Sequence, residues 1–427
     1  MARILTITSN YPPHHLGGYE VSCRDVMVRL VERGHHVTVL TSDDRLAGVT
    51  DPPGERDADP AVRRDLQRYF RDDDLWVPPP LTRWKIERHN QRAIAGARAA
   101  AKADVIAVWH VGAFSLGVVT AAIESGTPVV YAISDDWLSY APVLDQWVKM
   151  LEYRLGKLAG PMRHVFRVPT SPPDLGASGV FGFISECTRV RAEEYARWTF
   201  PRSVLVYSGI DCTLFNDDEP PRPTPRHLLY VGRFDTRKGI ETVVRAMALL
   251  PEHTLEVQGT GDDSERARLD ALAAELGVAD RISFERVPRA ELPARYRAAD
   301  ICVFPSEWEE PFGLVPVEAM ACRTAVVATG VGGSGEFLID DFNCVRFTPG
   351  DPTSLADAVR RLSADPERRA RLIDEGTRTA AYFDVERLTD AFEELYLAAA
   401  AGYPQGPPRG RLFPGPAPRN PAETDNS

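Results

Sequence analysis

The sequence lacks the features that mark nucleic-acid-binding and metal-stabilised proteins. Its 427 residues carry a formal net charge of −11, which argues against the concentrated basic surface that a nucleic-acid partner requires. Its six cysteines are scattered without a C-x-x-C pair, and this pattern indicates a reducing compartment and no structural metal. We therefore expect neither nucleic acid nor a bound metal.

Long apolar segments are also missing. No run reaches the ~18 apolar residues of a membrane-spanning helix. The first residues, MARILTITSN, are strand-like and lack the basic region and long apolar region of a signal peptide. The sequence therefore predicts a cytoplasmic protein.

Short apolar strands alternate with helices through most of the chain. ARILTITS and HHVTVLTS are predicted strands on either side of a predicted helix, and further strands are predicted at 104–110, 127–134, 179–185 and 203–208. This alternation predicts parallel sheets covered by helices on both faces. Residues 45–80 are rich in Pro, Asp and Arg without a clear period, and we interpret them as a long surface excursion.

The strand-helix pattern restarts after a proline-rich segment at 211–227. The length and the restart predict two domains, at 1–208 and 209–379, and the Pro- and Gly-rich tail at 402–427 is predicted to be disordered. The predicted fold class is α/β, with two Rossmann-like domains whose parallel sheets face each other across a cleft.

A basic loop follows the first predicted strand of the second half. VGRFDTRKG, at 231–239, places Arg233 beyond the strand end and Lys238 at the start of a helix. This edge of an α/β sheet faces the ligand crevice, and a helix N-terminus with two cations suits a diphosphate. The alternative is a solvated basic turn. A glycine loop at 329–337 would let backbone N–H groups approach phosphate or sugar, or would be only a turn.

The segment EWEEPFGLVPVEAMA, at 307–321, crowds glutamates around a Pro-Phe-Gly turn. We predict that Glu310 lies in the turn and that Glu318 lies in the first turn of the next helix, where the helix dipole would favour its charge. The dipole alone would explain a single glutamate. Two acids beside a helix N-terminus could also bind ligand hydroxyls while the first helical amides bind a phosphate. Carboxylates for hydroxyls and amides for phosphate are what a nucleotide sugar requires.

These motifs together resemble those of a known enzyme family. EPFGLVPVE is similar to the E-x7-E motif of retaining glycosyltransferase family 4, which has the GT-B fold, and VGRFDTRKG resembles its phosphate-binding segment. ARYRAADICVFPS, VGGSGE and FDVERLTDAFEELY continue the resemblance. The last of these implies a crossover helix at about 380–400 that completes the first domain. The resemblance is strong from 203 onward and looser before it.

The resemblance implies roles for the second-half residues. Arg233 and Lys238 would hold the donor diphosphate and stabilise the leaving phosphate, Glu318 would bind the ribose hydroxyls, and Glu310 would contact the transferred sugar. Arg286 and Val287 would receive the base. Four residues would line the sugar and phosphate site: Phe312, Gly313, Leu314 and Val315. Cations rather than a metal would stabilise the leaving group, so no cofactor is implied beyond the nucleotide sugar, with a UDP type favoured.

The first half departs from the family in several places. Gly17 and Gly18 match in type the glycine loop beside the donor phosphates, although the surrounding residues could equally form a surface loop. His110 is a candidate catalytic residue near the transferred sugar or a structural strand end, and its spacing differs from the common H-x-H pattern. SDDW replaces a histidine common in the family, and three residues have two interpretations, as acceptor-binding residues or as a helix cap: Asp135, Asp136 and Trp137.

A basic segment at 81–102 has two interpretations. It holds six Lys and Arg residues against one acid, Glu87, and it includes a tryptophan. Such a helix can lie on an anionic membrane, which would make the protein peripheral at the inner membrane face. A solvated helix face is the favoured interpretation.

The sequence predicts a metal-independent, retaining glycosyltransferase that uses a nucleotide sugar. The acceptor could be a small molecule, a glycan or a lipid. The rival interpretations are a nucleotide-sugar epimerase or a phosphorylase of the same fold, and a nucleotide-sugar-binding protein without catalytic activity.

Overall fold

The chain forms two compact units. The computed structural model describes residues 1–15, 17–71, 74–155, 165–216, 226–402 and 410–411. The first unit contains Met1–Tyr207 and the described residues from Leu388 onward, and the second contains Ser208–Arg387. The chain therefore leaves the first unit once and returns to it near its C-terminus.

A parallel sheet forms the centre of the first unit. Among the described residues its strands follow the order β9-β8-β7-β6-β1-β2-β3, and β4 and β5 form a small antiparallel pair beside it. The strands are β1 (Arg3–Thr8), β2 (His36–Ser42), β3 (Ala61–Leu66), β4 (Phe70–Arg71), β5 (Asp74–Leu75), β6 (Val105–His110), β7 (Val129–Ile133), β8 (Gly179–Phe183) and β9 (Ser203–Leu205). The described helices of this unit are Gly18–Glu32, Pro80–Ala101, Gly117–Glu124, Trp137–Leu144, Val148–Leu155 and Glu186–Tyr195.

The interpretation of 45–80 as a surface excursion is wrong for Ala61–Leu66. This segment forms β3, which pairs in parallel with β2 and has alternating buried residues. Arg64 is one of the buried residues, and it donates to Glu55 at 3.0 Å and to the carbonyl of Tyr11 at 3.0 Å. The sequence does not show an alternating apolar pattern here because Arg64 occupies one of the inward positions. Its burial is tolerated since its charge and its N–H donors have partners.

The last long helix, Val385–Ala400, packs back into the first unit from Leu388 onward. Tyr396 is buried and its hydroxyl accepts a hydrogen bond from the indole of Trp109 at 3.0 Å. Glu393, on the same helix as Tyr396, pairs with His35 at 2.9 Å. The helix is therefore an integral layer of the first unit.

A second parallel sheet forms the centre of the other unit, in the order β12-β11-β10-β13-β14-β15. The strands are β10 (His227–Val231), β11 (Thr254–Gln258), β12 (Ile282–Glu285), β13 (Ile301–Phe304), β14 (Ala325–Ala328) and β15 (Val345–Arg346). The described helices are Ile240–Met247, Asp263–Glu275, Leu292–Ala298, Leu314–Ala321, Pro352–Ala364 and Pro366–Tyr382. Apolar side chains from one face of the sheet form a buried core with four of these helices, Ile240–Met247, Asp263–Glu275, Pro352–Ala364 and Pro366–Tyr382.

Both sheets have the doubly wound strand order. In the first, β2 and β3 lie on one side of β1 and β6 lies on the other, and in the second, β11 and β12 lie on one side of β10 and β13 lies on the other. The strands all run parallel, but the direction in which successive strands are added to the sheet reverses between β1 and β6 and between β10 and β13. Loops splay apart at the carboxyl ends of such strand pairs, so each unit has a ligand-binding position there.

Most of the predicted disordered tail, 402–427, lies outside the described residues. The exception beyond Gly402 is Gly410–Arg411, which forms β16 and pairs in parallel with β9. None of the helices in the described part of the chain is long and apolar enough to cross a membrane.

One glycine fixes the distance between the two strand-end loops of the second unit. Gly239 follows the loop after β10 and has a φ of +68°. A Cβ atom at this position would lie 2.0 Å from the carbonyl oxygen of Pro305, the first residue after β13. The backbones of the two loops can approach this closely only because the side chain is missing.

We expect Gly239→Ala to destabilise the protein more than Gly277→Ala does. Gly277 has a similar φ of +66° but has no atom within 4 Å of its Cβ position, so its substitution reports backbone strain alone. We expect about 1–2 kcal/mol for Gly277→Ala and about 1–3 kcal/mol more for Gly239→Ala. Urea unfolding of both variants measures the difference, and equal losses would contradict the close approach.

Candidate active site

An ion pair lies at the carboxyl edge of the second sheet. The Nζ atom of Lys238 lies 2.6 Å from Oε1 of Glu310. Ser306 also donates its hydroxyl to the same carboxylate oxygen at 2.9 Å. Glu310 is only 5% exposed, so its charge depends on these two donors. The structure thus brings together two residues that the sequence separates by more than seventy positions.

The backbone of Glu310 is held by the glycine loop at 329–337. Its carbonyl accepts a hydrogen bond from the amide of Gly333 at 2.7 Å. Gly332 has a φ of +69°, and a Cβ atom there would lie 2.6 Å from the amide nitrogen of Glu310. In this structure the close approach predicted for these glycines is therefore made to the protein's own backbone.

Glu318 does not lie where the sequence predicted. Its helix begins at Leu314, so Glu318 falls in the second turn rather than the first, and no acidic residue occupies the first turn. The carboxylate is 2% exposed and is held by the hydroxyl of Tyr296 at 2.8 Å and by Arg289 at 2.7 Å. Burial and the nearby Glu318 charge raise the pKa of Tyr296, which keeps its hydroxyl protonated as a donor.

The helix that carries Glu318 begins beside the ion-pair loop. Its N-cap, Gly313, has a φ of +99°, and the amides of Leu314 and Val315 open the helix. The first amides of a helix have no acceptor within it, so they can bind an anion. The Phe312 side chain is 2% exposed and packs on Phe337, with 4.9 Å between ring centroids. Only the backbone of Phe312 could therefore line the predicted sugar site.

Three other predicted donor residues lie at the same sheet edge. Arg233 follows β10 and has an exposed side chain, and Arg286 follows β12 and is also exposed. The amide of Val287 donates to the side chain of Gln258 at 3.1 Å, which leaves its carbonyl as the group that could meet a base. Gln258 was not predicted from the sequence, because a buried glutamine at a strand end carries no motif.

A partly buried polar cluster lies at the corresponding edge of the first sheet. His110 ends β6, and its Nε2 lies 3.1 Å from the carboxylate of Asp135 and 3.1 Å from the hydroxyl of Tyr140. Its Nδ1 contacts the hydroxyls of Ser9 and, at 2.9 Å, of Tyr19. His110 therefore sits at the switch point between β1 and β6 with partners on both ring nitrogens. The sequence identified His110 and Asp135 but not the two tyrosines.

The charges in this cluster favour a protonated histidine. Burial lowers the pKa of His110, but the charge and hydrogen bond of Asp135, together with the charge of Glu20, outweigh burial and raise it above the usual value of 6.5. Burial also raises the pKa of Asp135, but the charge of His110 and the hydrogen bonds from His110 and Tyr140 lower it overall. The two groups stabilise each other as an ion pair.

The remaining first-half candidates separate into two groups. Gly17 is the N-cap and Gly18 the first residue of a helix, both are exposed, and the Gly17 amide donates to Glu20 at 2.9 Å. Asp136 instead pairs with Arg191 at 3.0 Å. Trp137 has no exposed side-chain surface, so this structure does not place it where an acceptor can touch it.

Within the described ranges, no group of three or more His, Cys, Asp or Glu side chains is arranged to hold a metal ion.

Two family models match the chain. The model of Glycosyltransferase Family 4 matches residues 16–171, and the model of Glycosyl transferases group 1 matches residues 214–379. Together they span about three quarters of the sequence. The chain belongs to glycosyltransferase family 4.

Curated relatives of this family 4 chain act on different substrates. It is 34% identical over 238 residues to D-inositol 3-phosphate glycosyltransferase of Xylanimonas cellulosilytica, covering 51% of this chain and 57% of that protein. It is 35% identical over 213 residues to glycogen synthase of Mycobacterium tuberculosis, covering 48% of this chain and 50% of that protein. The chain spans about half the length of the curated relatives it matches.

Solved structures confirm the predicted two-domain GT-B fold of this family 4 chain. Sucrose-phosphate synthase from Thermosynechococcus elongatus has a TM-score of 0.69 at 23% identity and covers 93% of this chain and 99% of its own. HepE of Anabaena in complex with UDP-glucose has a TM-score of 0.65 at 18% identity and covers 92% of this chain and 99% of its own. These likenesses concern the fold alone.

We expect Asp135→Asn to lower the pKa of His110. The substitution removes the charge of Asp135, and burial, which lowers the pKa, then outweighs the smaller effect of Glu20, which raises it. The His110 charge stabilises the fold fully below pH 6.5, and this stabilisation is lost as pH rises through the raised pKa. The Asp135 charge contributes above pH 3.8, and its contribution is lost as pH falls through the lowered pKa.

An NMR titration of the His110 ring in both proteins measures the pKa directly. Asp136→Asn is the matched control, because it removes the neighbouring carboxylate that pairs with Arg191 instead. An unchanged His110 titration in Asp135→Asn would disprove the ion pair.

Proposed function

We propose that the protein is a retaining, metal-independent glycosyltransferase that moves a sugar from a nucleoside diphosphate sugar to a hydroxyl or similar nucleophile of its acceptor. It would need no cofactor besides this co-substrate. The observation that carries the proposal is the 2.6 Å contact between Lys238 and Glu310 at the switch point of the second sheet. The contact joins the family's phosphate-binding segment to the first glutamate of its E-x7-E motif.

The choice of a UDP-type donor is supported by a neighbour of the same fold. HepE of Anabaena has been solved with UDP, with UDP and glucose, and with UDP-glucose. Arg233, Lys238 and the opening amides of the helix Leu314–Ala321 supply positive charge and N–H donors for a diphosphate. We propose that this chain binds a UDP-sugar in its second unit by these groups.

The ion pair suggests how the site responds to the donor. In the free protein Lys238 is held by Glu310, so a bound diphosphate must compete for its ammonium. When the phosphate draws Lys238 away, Ser306 still donates to Glu310, and the carboxylate becomes available to sugar hydroxyls. Glu318, positioned by Tyr296 and Arg289, would accept from the ribose hydroxyls through its remaining lone pairs.

The proposed reaction replaces one bond at the anomeric carbon with another on the same face. The bond to the β-phosphate oxygen breaks, the acceptor oxygen bonds to the anomeric carbon, and the acceptor proton moves to the leaving phosphate. Positive charge develops on the sugar and negative charge on the phosphate, where Arg233 and Lys238 would stabilise it. We propose that His110, kept protonated by Asp135 at Nε2, donates its Nδ1–H to a sugar hydroxyl in place of the hydroxyls of Ser9 and Tyr19.

We expect UDP to raise the thermal stability of the purified protein. A ligand at about 100 times its Kd adds about 2.7 kcal/mol to the free energy of unfolding. GDP, dTDP and ADP are compared to identify the base. Arg233→Ala should lose the stabilisation, whereas Arg237→Ala should keep it, because Arg237 is occupied by an ion pair with Asp235. If UDP stabilised both variants as it does the wild type, the proposed diphosphate site would be disproved.

We expect Lys238→Ala and Glu310→Gln each to slow sugar release from the donor. UDP release from UDP-glucose, with water in place of the acceptor, should fall by about 10²–10³-fold in Lys238→Ala. Glu307→Gln is the control, since Glu307 is an exposed neighbour that accepts from Thr242 at 2.6 Å.

The glucose first released should be the α anomer. Release of the β anomer would contradict retention, and full activity of both variants would contradict the site assignment. UDP binding without any turnover in the presence of acceptors would favour a binding protein.

A further inference from the structure

A cavity of about 580 Å³ lies within the first unit and is separate from the His110 cluster. Its walls come from the residues that follow β2 and β3 and from the first half of the helix Pro80–Ala101. The ends of β2 and β3 belong to the same carboxyl edge of the sheet as the end of β6. The cavity therefore opens on the side of the sheet where ligands bind in this type of fold.

One wall of the cavity is a basic stripe. Lys85, Arg88, His89 and Arg92 all line it, and their spacing of three, four and seven residues places them on one face of the helix. Arg88 donates to the carbonyl of Arg167 at 2.7 Å, and this acceptor carries no formal charge. The stripe was the candidate membrane contact in the sequence, but it faces a concave space.

The opposite wall carries negative charge, but less than is needed to balance the positive charge of the stripe. Asp43 and Asp44 follow β2, and Asp44 is paired with Arg68, which also lines the cavity. Of the described acidic residues that line the cavity, only Asp43 then faces the charges of the helix. The cavity as a whole is suited to an anion, with one carboxylate able to accept from a hydroxyl.

Aromatic side chains also line the cavity. Phe70, Trp76 and Trp84 are all partly exposed to the cavity. The indole N–H of Trp84 donates to the carbonyl of Phe166 at 3.0 Å, which fixes its ring. Aromatic faces provide large apolar contact area, such as the C–H face of a sugar ring offers. An anionic group and a sugar ring could therefore be bound at the same time.

The cavity lies within reach of the His110 cluster. β6, β1 and β2 are consecutive in the sheet, so their carboxyl ends are spread over about 10 Å. The Tyr69 amide donates to the carbonyl of Ala113 at 2.9 Å, which ties the cavity wall to the loop that follows His110. A ligand of about two sugar rings could span this distance.

We propose that this cavity binds the acceptor, and that the acceptor is a sugar or polyol carrying a phosphate or carboxylate group. The basic stripe would hold the anionic group, the aromatic side chains would hold the ring, and the hydroxyl to be glycosylated would point toward His110. This inference rests on the proposed glycosyltransferase function for its meaning, but the anion-binding cavity can be tested without turnover.

The test is calorimetric titration of the full chain, saturated with UDP, with sugar phosphates, uronates and their neutral parent sugars. Glucose 6-phosphate, fructose 6-phosphate and glucuronate are compared with glucose and fructose. The anionic ligands should bind at least about tenfold more tightly than their neutral parents, and rising ionic strength should weaken them. The double variant Lys85→Ala/Arg92→Ala should lose this advantage. Both side chains are exposed, so the fold should persist.

The control is Arg360→Ala/Arg361→Ala, which removes two exposed cations from the helix Pro352–Ala364 in the other unit. This variant should bind the anionic sugars as the wild type does. Equal affinity for charged and neutral sugars, no binding by any of them, or equal losses in the two double variants would overturn the proposal.

Vesicles separate a free acceptor from a lipid-linked one. Phosphatidylcholine vesicles with and without phosphatidylinositol are sedimented with the protein, and glucose 6-phosphate is added as a competitor. Competition would support the cavity with a lipid-linked polyol phosphate as a ligand. Vesicle binding that is lost in Lys85→Ala/Arg92→Ala but unaffected by every sugar phosphate would overturn the cavity in favour of a membrane-facing helix. Failure of UDP to stabilise the protein would count against the proposed function alone.

Discussion

The ion pair between Lys238 and Glu310 is the constraint around which the second unit is arranged. Burying a carboxylate costs several kcal/mol unless a cation and hydrogen-bond donors compensate for the lost water. The pair can form only if the loops after β10 and β13 touch, and Gly239 permits this approach. Gly332, in the loop after β14, permits a second close approach to the backbone of Glu310. The positive end of the helix at Leu314 then lies beside the same loop. The geometry of this candidate site thus depends on the strand order of the sheet and on glycines at two close backbone contacts.

Much of the fold could be predicted because it depends on local patterns. The strands are short, apolar and followed by turns, and the doubly wound order arises from right-handed connections between parallel strands. β3 could not be predicted, because Arg64 interrupts its apolar face and is satisfied only by groups distant in sequence. The predicted position of Glu318 was wrong by one helical turn, since the helix begins after Gly313 rather than nearer to Pro316.

The site was predictable only where its residues belong to a motif. Glu310, Glu318 and Lys238 stand in recognisable segments, but the side chains that orient them do not. Tyr296 reaches Glu318 from another helix, and Tyr19 and Tyr140 reach His110 from two further elements. Such partners are chosen by tertiary packing, and a single sequence gives no spacing rule for them. Trp137 shows the converse, because a residue next to a motif can be wholly buried.

The return of the C-terminal helix to the first unit has a consequence for biosynthesis. Trp109 and His35 find their partners on Val385–Ala400, which is translated only after the entire second unit has been made. The first unit to leave the ribosome is therefore the last to become complete, and until then it exposes the apolar surface that this helix covers. The nascent protein must consequently pass through a state in which the second unit has been synthesised in full and the first unit still lacks its C-terminal helix.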